Sequence, residues 1–254
     1  GLGLSFGLVR APGEALGIVR PSAVALLVGL LLAPTVLVAG LYLGFELALP
    51  TLLQEIARGG RQAAQQNTGV FGRELVQAHL ATTLVWATLI TPVAEELLFR
   101  GALWSSVARL TRPHADEGSE LPEDLLDPSW SARAYRRLGR WFCHGGIATL
   151  ATALLFAWMH ADQQGGAGIV RVVQTACLGL SLGAVRQASG SVLPAMLLHG
   201  LYNALSLAKL RRLIACDLWP HPLPIPLIFW QLAAAATLVL LLVAVERGWR
   251  ARRL

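Results

Sequence analysis

Leu80-Ala-Thr-Thr-Leu-Val-Trp-Ala-Thr-Leu-Ile-Thr-Pro-Val-Ala-Glu95-Glu96-Leu-Leu-Phe-Arg100 runs for fifteen residues without a charge and then places three charged side chains within six. An apolar run of this kind suits a helix crossing hydrocarbon roughly 30 Å thick, which takes about 20 residues. The predicted span is Leu80–Leu98, running on to Leu110. Working outward, further apolar blocks fall at Ser22–Phe45, Gly146–His160, Gly168–Arg186, Val192–Leu207 and Leu223–Val245. The block ending at His160 is short, and Trp141 and Phe142 are expected to extend it through the interface.

Composition agrees. Hydrophobic residues make up 55% of the 254 and charged residues 14%, against about 45–50% and 25% in soluble domains. No segment alternates polar and apolar as a membrane barrel strand does, and lipid admits no open sheet edge. The expected fold class is therefore all-α, a polytopic membrane bundle of about six transmembrane helices. One integral-membrane domain is expected over 1–254, with a motif-bearing core at about 75–208 and a polar loop at 111–141.

The net charge of +6 would point to nucleic acid in a soluble chain. Here the basic residues lie between and after the apolar blocks, which suits cytoplasmic retention and anionic lipid, so no nucleic-acid partner is expected. With the N-terminus inside, 13 of the 21 basic residues fall on inner segments, and both termini are expected in the cytoplasm. Cys143, Cys177 and Cys216 share no short spacing and form neither a disulfide framework nor a metal pair. The chain opens at Gly1 with no signal-peptide pattern.

Between the second and third spans, His114–Arg140 starts acidic and ends basic, reading as a solvated loop with a short interfacial helix at Ala132–Phe142. Gly40 with Gly44, and Gly179 with Gly183, have the spacing that lets helices approach closely. Gly179-Leu-Ser181-Leu-Gly183 also matches a nucleophile elbow, but that device needs a strand turning into a helix, so Ser181 is not expected to react.

Ionisable groups inside a span are costly and mark functional sites. At about 100° per residue, Glu96 and Arg100 share a helix face and Glu95 points elsewhere. That suggests Glu96 neutralised by Arg100, away from the cavity, and Glu95 free to act as a general base. A charge cluster that merely locks helices together would carry the same residues. Phe156-Ala-Trp-Met-His160 closes the third span, and His199-Gly-Leu-Tyr-Asn203 sets an imidazole and a carboxamide one turn apart on the fifth.

Two chemistries fit Glu95, His160, His199 and Asn203 brought together. In one, Glu95 and His160 activate water while His199 and Asn203 bind the oxyanion, and no cofactor is required. In the other, Glu95, His160 and His199 hold a divalent metal such as zinc. The first is preferred, because no HExxH signature is present and Asn is a poor zinc ligand.

These residues in this order resemble the CPBP family of intramembrane proteases, the type II CAAX prenyl endopeptidase and bacteriocin-processing group also called Abi. The family pattern is EExxxR, FxxxH and HxxxN, supplied here by Glu95-Glu96-x-x-x-Arg100, Phe156-x-x-x-His160 and His199-x-x-x-Asn203. The stretch Gly179–His199, with its Ser189-Gly190-Ser191 turn, is also similar to the family's approach to the last motif. The resemblance implies a catalytic Glu95, support from Glu96, Arg100 and Phe156, and substrate or oxyanion contacts from His160, His199 and Asn203. It implies as partner a membrane-embedded or lipidated peptide or protein, cleaved near its terminus. The Ala/Leu/Arg-rich composition suits a bacterial inner-membrane enzyme of maturation or sorting. The competing reading is a non-proteolytic scaffold or bacteriocin-immunity protein of the same fold; a transporter would call for an inverted repeat, and none is read.

Overall fold

The structure, a computed structural model, describes Gly13 and residues 16–66, 78–111 and 145–211. Those residues build five helices: α1 (Ala23–Gln66), α2 (Leu80–Leu110), α3 (Ile147–Met159), α4 (Gly165–Ser189) and α5 (Leu193–Leu210). Among the described residues there is no strand. Segments of α1, α2 and α4 are long and apolar enough to cross a membrane, and α3 and α5 are shorter apolar helices. The predicted last span, the polar loop with its interfacial helix, Cys143 and Cys216 lie outside the described residues.

Three of these helices have a visible start or stop. Ser22 Oγ accepts the Ala25 N–H at 3.1 Å, capping α1 as a short polar side chain does at an N-terminus. Glu55 on α1 caps α4 across the bundle, its Oε1 accepting the Gly166 N–H at 3.0 Å. α4 ends at Gly190, whose φ of 71° is the left-handed conformation that closes many helices. In the predicted Ser-Gly-Ser turn, Ser189 Oγ donates to Ser191 O at 3.0 Å, and Ser191 Oγ accepts the Leu193 N–H to start α5.

α1 runs far beyond the predicted Phe45. Its 44 residues span about 66 Å at 1.5 Å each, more than a bilayer needs. Apolar patterning ends where lipid ends, but a helix continues for as long as its polar residues sustain it.

α4 is the centre of the bundle, packed against α1, α3 and α5 and touching α2. The two glycine pairs face different neighbours. Gly40 and Gly44 admit Gln174 and Val170 of α4 to the backbone of α1, while Gly179 and Gly183 lie on Ala153 and Thr149 of α3. Leu32, Phe156, Leu178, Leu182, Val185 and Leu198 fill the space between. Leu27, Leu31, Trp86, Leu89, Leu154 and Trp158 point outward and exposed. A water-soluble surface would not carry so many large apolar side chains exposed; facing lipid they are the expected exterior. The chain is an integral membrane helix bundle.

Candidate active site

α2 does not wind evenly. It makes two π-helical turns, Trp86–Ile90 and Leu97–Leu103, on either side of Thr91–Glu96. Such turns occur often at functional sites, and each leaves a backbone carbonyl passed over by the helix's own ladder. Thr91 N–H reaches back five residues to Trp86 O, and Pro92 has no N–H to give Ala87 O. Asn203 supplies it: Nδ2 donates to Ala87 O at 2.8 Å. At the second turn Trp104 N–H goes to Phe99 O, and Arg100 O receives Arg186 Nε at 3.1 Å instead. Side chains from α5 and α4 thus complete the backbone of α2, and lipid would not satisfy those carbonyls.

Glu96 and Arg100 form the predicted i,i+4 pair, 3.0 Å apart and fully buried. Arg100 also donates from Nη2 to Gly179 O at 3.1 Å, tying α2 to α4, and lies over the Phe156 ring, 4.7 Å from its centre. The expectation that Glu96 stands apart from the histidines is corrected. Glu96 Oε1 is also 2.9 Å from His199 Nδ1, because α5 packs directly on this stretch of α2. Glu96 Oε2, by contrast, is buried without a hydrogen-bond partner among the described residues.

Glu95 is part of the same cluster. Its Oε2 lies 3.7 Å from His199 Nε2, with 27% of its side chain exposed against 3% for the imidazole. The two glutamates therefore flank one imidazole from opposite ring nitrogens. A carboxylate already accepting from Arg100 can only accept from His199, so Nδ1 carries the proton and Nε2 faces Glu95. At 3.7 Å that contact is too long for a hydrogen bond, and short enough for one water to reach both atoms.

His160 stands where α3 leaves helical geometry, at φ −99° and ψ 8°. Its Nδ1 is 2.8 Å from Phe156 O, which as an acceptor fixes the proton on Nδ1 and leaves Nε2 free. Phe156 joins the two imidazoles: its ring centre is 4.5 Å from that of His160 and 5.6 Å, edge-on, from that of His199. It also packs against Phe99 in a T-shaped arrangement, the ring centres 5.2 Å apart. Asn203 spends one amide hydrogen on Ala87 O and keeps the second.

Ser181 Oγ donates to Cys177 O within its own helix, an ordinary back-bond. Among the described residues no three His, Cys, Asp or Glu side chains are disposed to hold a metal ion. Glu95, His160 and His199 thus form no ready chelate, and no step below runs through a metal.

The sequence reading missed a second polar cluster, toward the end of α4. Arg186 stacks on Trp104, 4.8 Å from the ring centre; Trp104 Nε1 donates to Thr149 Oγ1 at 3.0 Å, and Thr149 to Gln187 Oε1 at 3.3 Å. A single Arg at a span end reads as a topology signal, and only Trp104 eight residues after Glu96 hinted at more.

With this geometry in place, comparison with known proteins is informative. A family model, the Rce1-like type II CAAX prenyl endopeptidases, matches residues 77–205. The chain belongs to this family. The matched segment carries all three motifs, from Glu95 to Asn203. The Rce1-like family is one of CAAX-type intramembrane proteases, which places the chain among the membrane-embedded hydrolases. No curated protein and no solved structure matches it.

Proposed function

We propose that this protein is an endopeptidase that cleaves a membrane-embedded or lipidated peptide or protein near its terminus, using water activated by Glu95. The observation that carries the reading is the Glu95 Oε2 to His199 Nε2 approach of 3.7 Å, with His199 Nδ1 held by Glu96 at 2.9 Å. Polar groups are costly in lipid, and two carboxylates converging on one imidazole suit chemistry better than packing.

In the proposed step Glu95, with His160, takes a proton from water as the oxygen attacks the scissile carbonyl carbon. The C–O bond forms, and charge collects on the carbonyl oxygen. His199 Nε2, when it carries a second proton, and the free Asn203 N–H stabilise that oxyanion. The C–N bond then breaks as the abstracted proton passes to the leaving amine, giving a carboxylic acid and an amine. Glu96 and Arg100 hold His199 in register, and Phe156 orients both imidazoles. No cofactor is invoked.

The role that fits this chemistry is maturation or sorting of membrane-associated proteins in a bacterial cytoplasmic membrane, within one domain spanning the chain and with both termini inside. Mass-spectrometric mapping of membrane-protein termini, with the intact chain and with Glu95→Gln, tests activity and identifies the substrate together. Identical termini in the two samples would refute the reading and favour a scaffold or immunity protein.

A further inference from the structure

Ahead of α1 the chain crosses the end of the bundle where α4 stops and α5 starts. Gly17 is buried there at a φ of 74°, a left-handed conformation open to glycine and strained for other residues. Its O accepts the Val192 N–H at 2.9 Å, and Val19 O accepts from Ser191 Oγ at 2.7 Å, so this segment is stitched to the entry of α5. Leu16 O lies against Gly101 of α2. One short stretch of backbone therefore touches both helices whose side chains meet at His199.

Gly17 also packs directly on Arg186 of α4. A Cβ at residue 17 would fall on Nη2 and Cζ of the guanidinium, which stacks on the Trp104 ring as well. Arg186 Nε donates to Arg100 O, the carbonyl passed over by the second π turn. From the same residue Arg100 Nη1 donates to Glu96 Oε1, and that oxygen accepts from His199 Nδ1. Three hydrogen bonds of 3.1, 3.0 and 2.9 Å thus lead from Arg186 to the imidazole. Without the first of them the buried Arg100 carbonyl would compete for the Trp104 N–H, as in an ordinary helix, and draw the π turn out of shape.

We infer that Gly17 and Arg186 are positioning residues. The segment ahead of α1 seats the guanidinium on the Arg100 carbonyl, and that bond fixes the turn from which Arg100 and Glu96 hold the His199 proton on Nδ1. The reaction served is taken from the endopeptidase reading; the state of His199 follows from the contacts alone.

Two substitutions at residue 186 separate the donor from the bulk. Arg186→Gln ends in an amide nitrogen at the place of Nε and keeps the bond to Arg100 O. Arg186→Met is as long and has no donor. Both lose the charge and the guanidinium stack on Trp104. With the full chain in lipid nanodiscs, kcat and KM are measured on a fluorescent peptide carrying an S-farnesyl cysteine fourth from its end. The tautomer of His199 is read by nitrogen NMR of isotope-labelled histidine, its signal assigned by its loss in His199→Gln.

Arg186→Met lowers kcat about 10-fold, the worth of one hydrogen bond, leaves KM in place and lets the His199 proton divide between the two nitrogens. Arg186→Gln keeps most of kcat and the Nδ1 signal. Gly17→Ala behaves as Arg186→Met does, and adding Arg186→Gln to it restores part of kcat, because the atoms that the new Cβ meets first are gone. Should Arg186→Met fail to fold, Gly17→Ala with and without Arg186→Gln carries the same decision. Equal losses in Arg186→Gln and Arg186→Met, or an unmoved His199 signal in Gly17→Ala, overturn the positioning role and leave only a packing contact. The expected His199 changes without any cleavage by the unsubstituted protein would sink the endopeptidase reading alone.

Discussion

Glu96 Oε1 accepts from His199 Nδ1 at 2.9 Å and from Arg100 Nη1 at 3.0 Å, so a single oxygen ties an ion pair within α2 to an imidazole on α5. Removing one member strands the others. Glu96→Gln leaves the Arg100 charge buried without its partner, and a broken buried pair costs about 3–5 kcal/mol. Thermal unfolding in detergent should show that loss. The double variant Glu96→Gln/Arg100→Met removes the stranded charge and should recover much of the stability. It should not recover turnover, because His199 still lacks the carboxylate that sets its tautomer. Full recovery of both would reduce Glu96 to a packing role.

Glu95 should behave differently. Glu95→Gln keeps the shape and removes the base, so kcat should fall by at least about 10²-fold while substrate binding and folded abundance stay normal. Normal turnover in this variant would eliminate the proposed mechanism.

His160 is partly exposed and, among the described residues, is hydrogen-bonded only within its own helix, so His160→Gln should leave the melting temperature within a degree or two, by the usual size of surface effects. Its turnover should drop by about 10²-fold or more if it shares the proton transfer. A stability loss as large as that of Glu96→Gln would show instead that the ring is a packing element.

Asn203 has a structural task and a proposed chemical one, and Pro92 allows them to be separated. Pro92→Ala restores an N–H that Ala87 O can accept. In that background Asn203→Ala should cost less folding stability than it does alone, where about 1 kcal/mol or somewhat more is expected for the lost bond. The loss of activity should be the same in both backgrounds. If activity too were rescued, Asn203 would serve the backbone and nothing else.

If both termini lie in the cytoplasm, as proposed, the turn after His160 faces the outer side. Ala161 is exposed, and Ala161→Cys in a chain with Cys143, Cys177 and Cys216 replaced should react with a membrane-impermeant maleimide added to intact cells. Reaction only after permeabilisation would invert the topology.

The residues of the cluster were legible in the sequence because charge in an apolar run is expensive and therefore conspicuous. Glu95, Glu96, Arg100, His160 and His199 stand out against leucine and alanine for that reason alone. Which residue touches which was not legible. The i,i+4 spacing of Glu96 and Arg100 fixes their pairing, but the bond from Glu96 to His199 depends on how α5 lies on α2, and no local period encodes that. The π turns were hidden as well, since one extra residue in a turn leaves composition unchanged; Pro92 was the visible trace, a missing donor whose orphaned carbonyl needed a partner from elsewhere. Helix ends inside lipid followed the apolar blocks closely, whereas the far end of α1 did not, because outside lipid nothing in its hydropathy marks a stop.

The end of α3 has a consequence for the surrounding lipid. Helical geometry stops at His160, and the exposed Ala161, Asp162 and Gln164 follow at once. A bilayer meeting exposed polar groups at that depth thins beside them or lets headgroups and water sink toward them. Hydrolysis in an oily interior is short of its co-substrate, and a local dimple in the membrane would lower the aqueous boundary toward the imidazole without a channel having to be built. Acyl-chain length then becomes a control on rate: reconstituted in lipids of increasing chain length, the enzyme should slow as a thicker, stiffer leaflet resists the deformation.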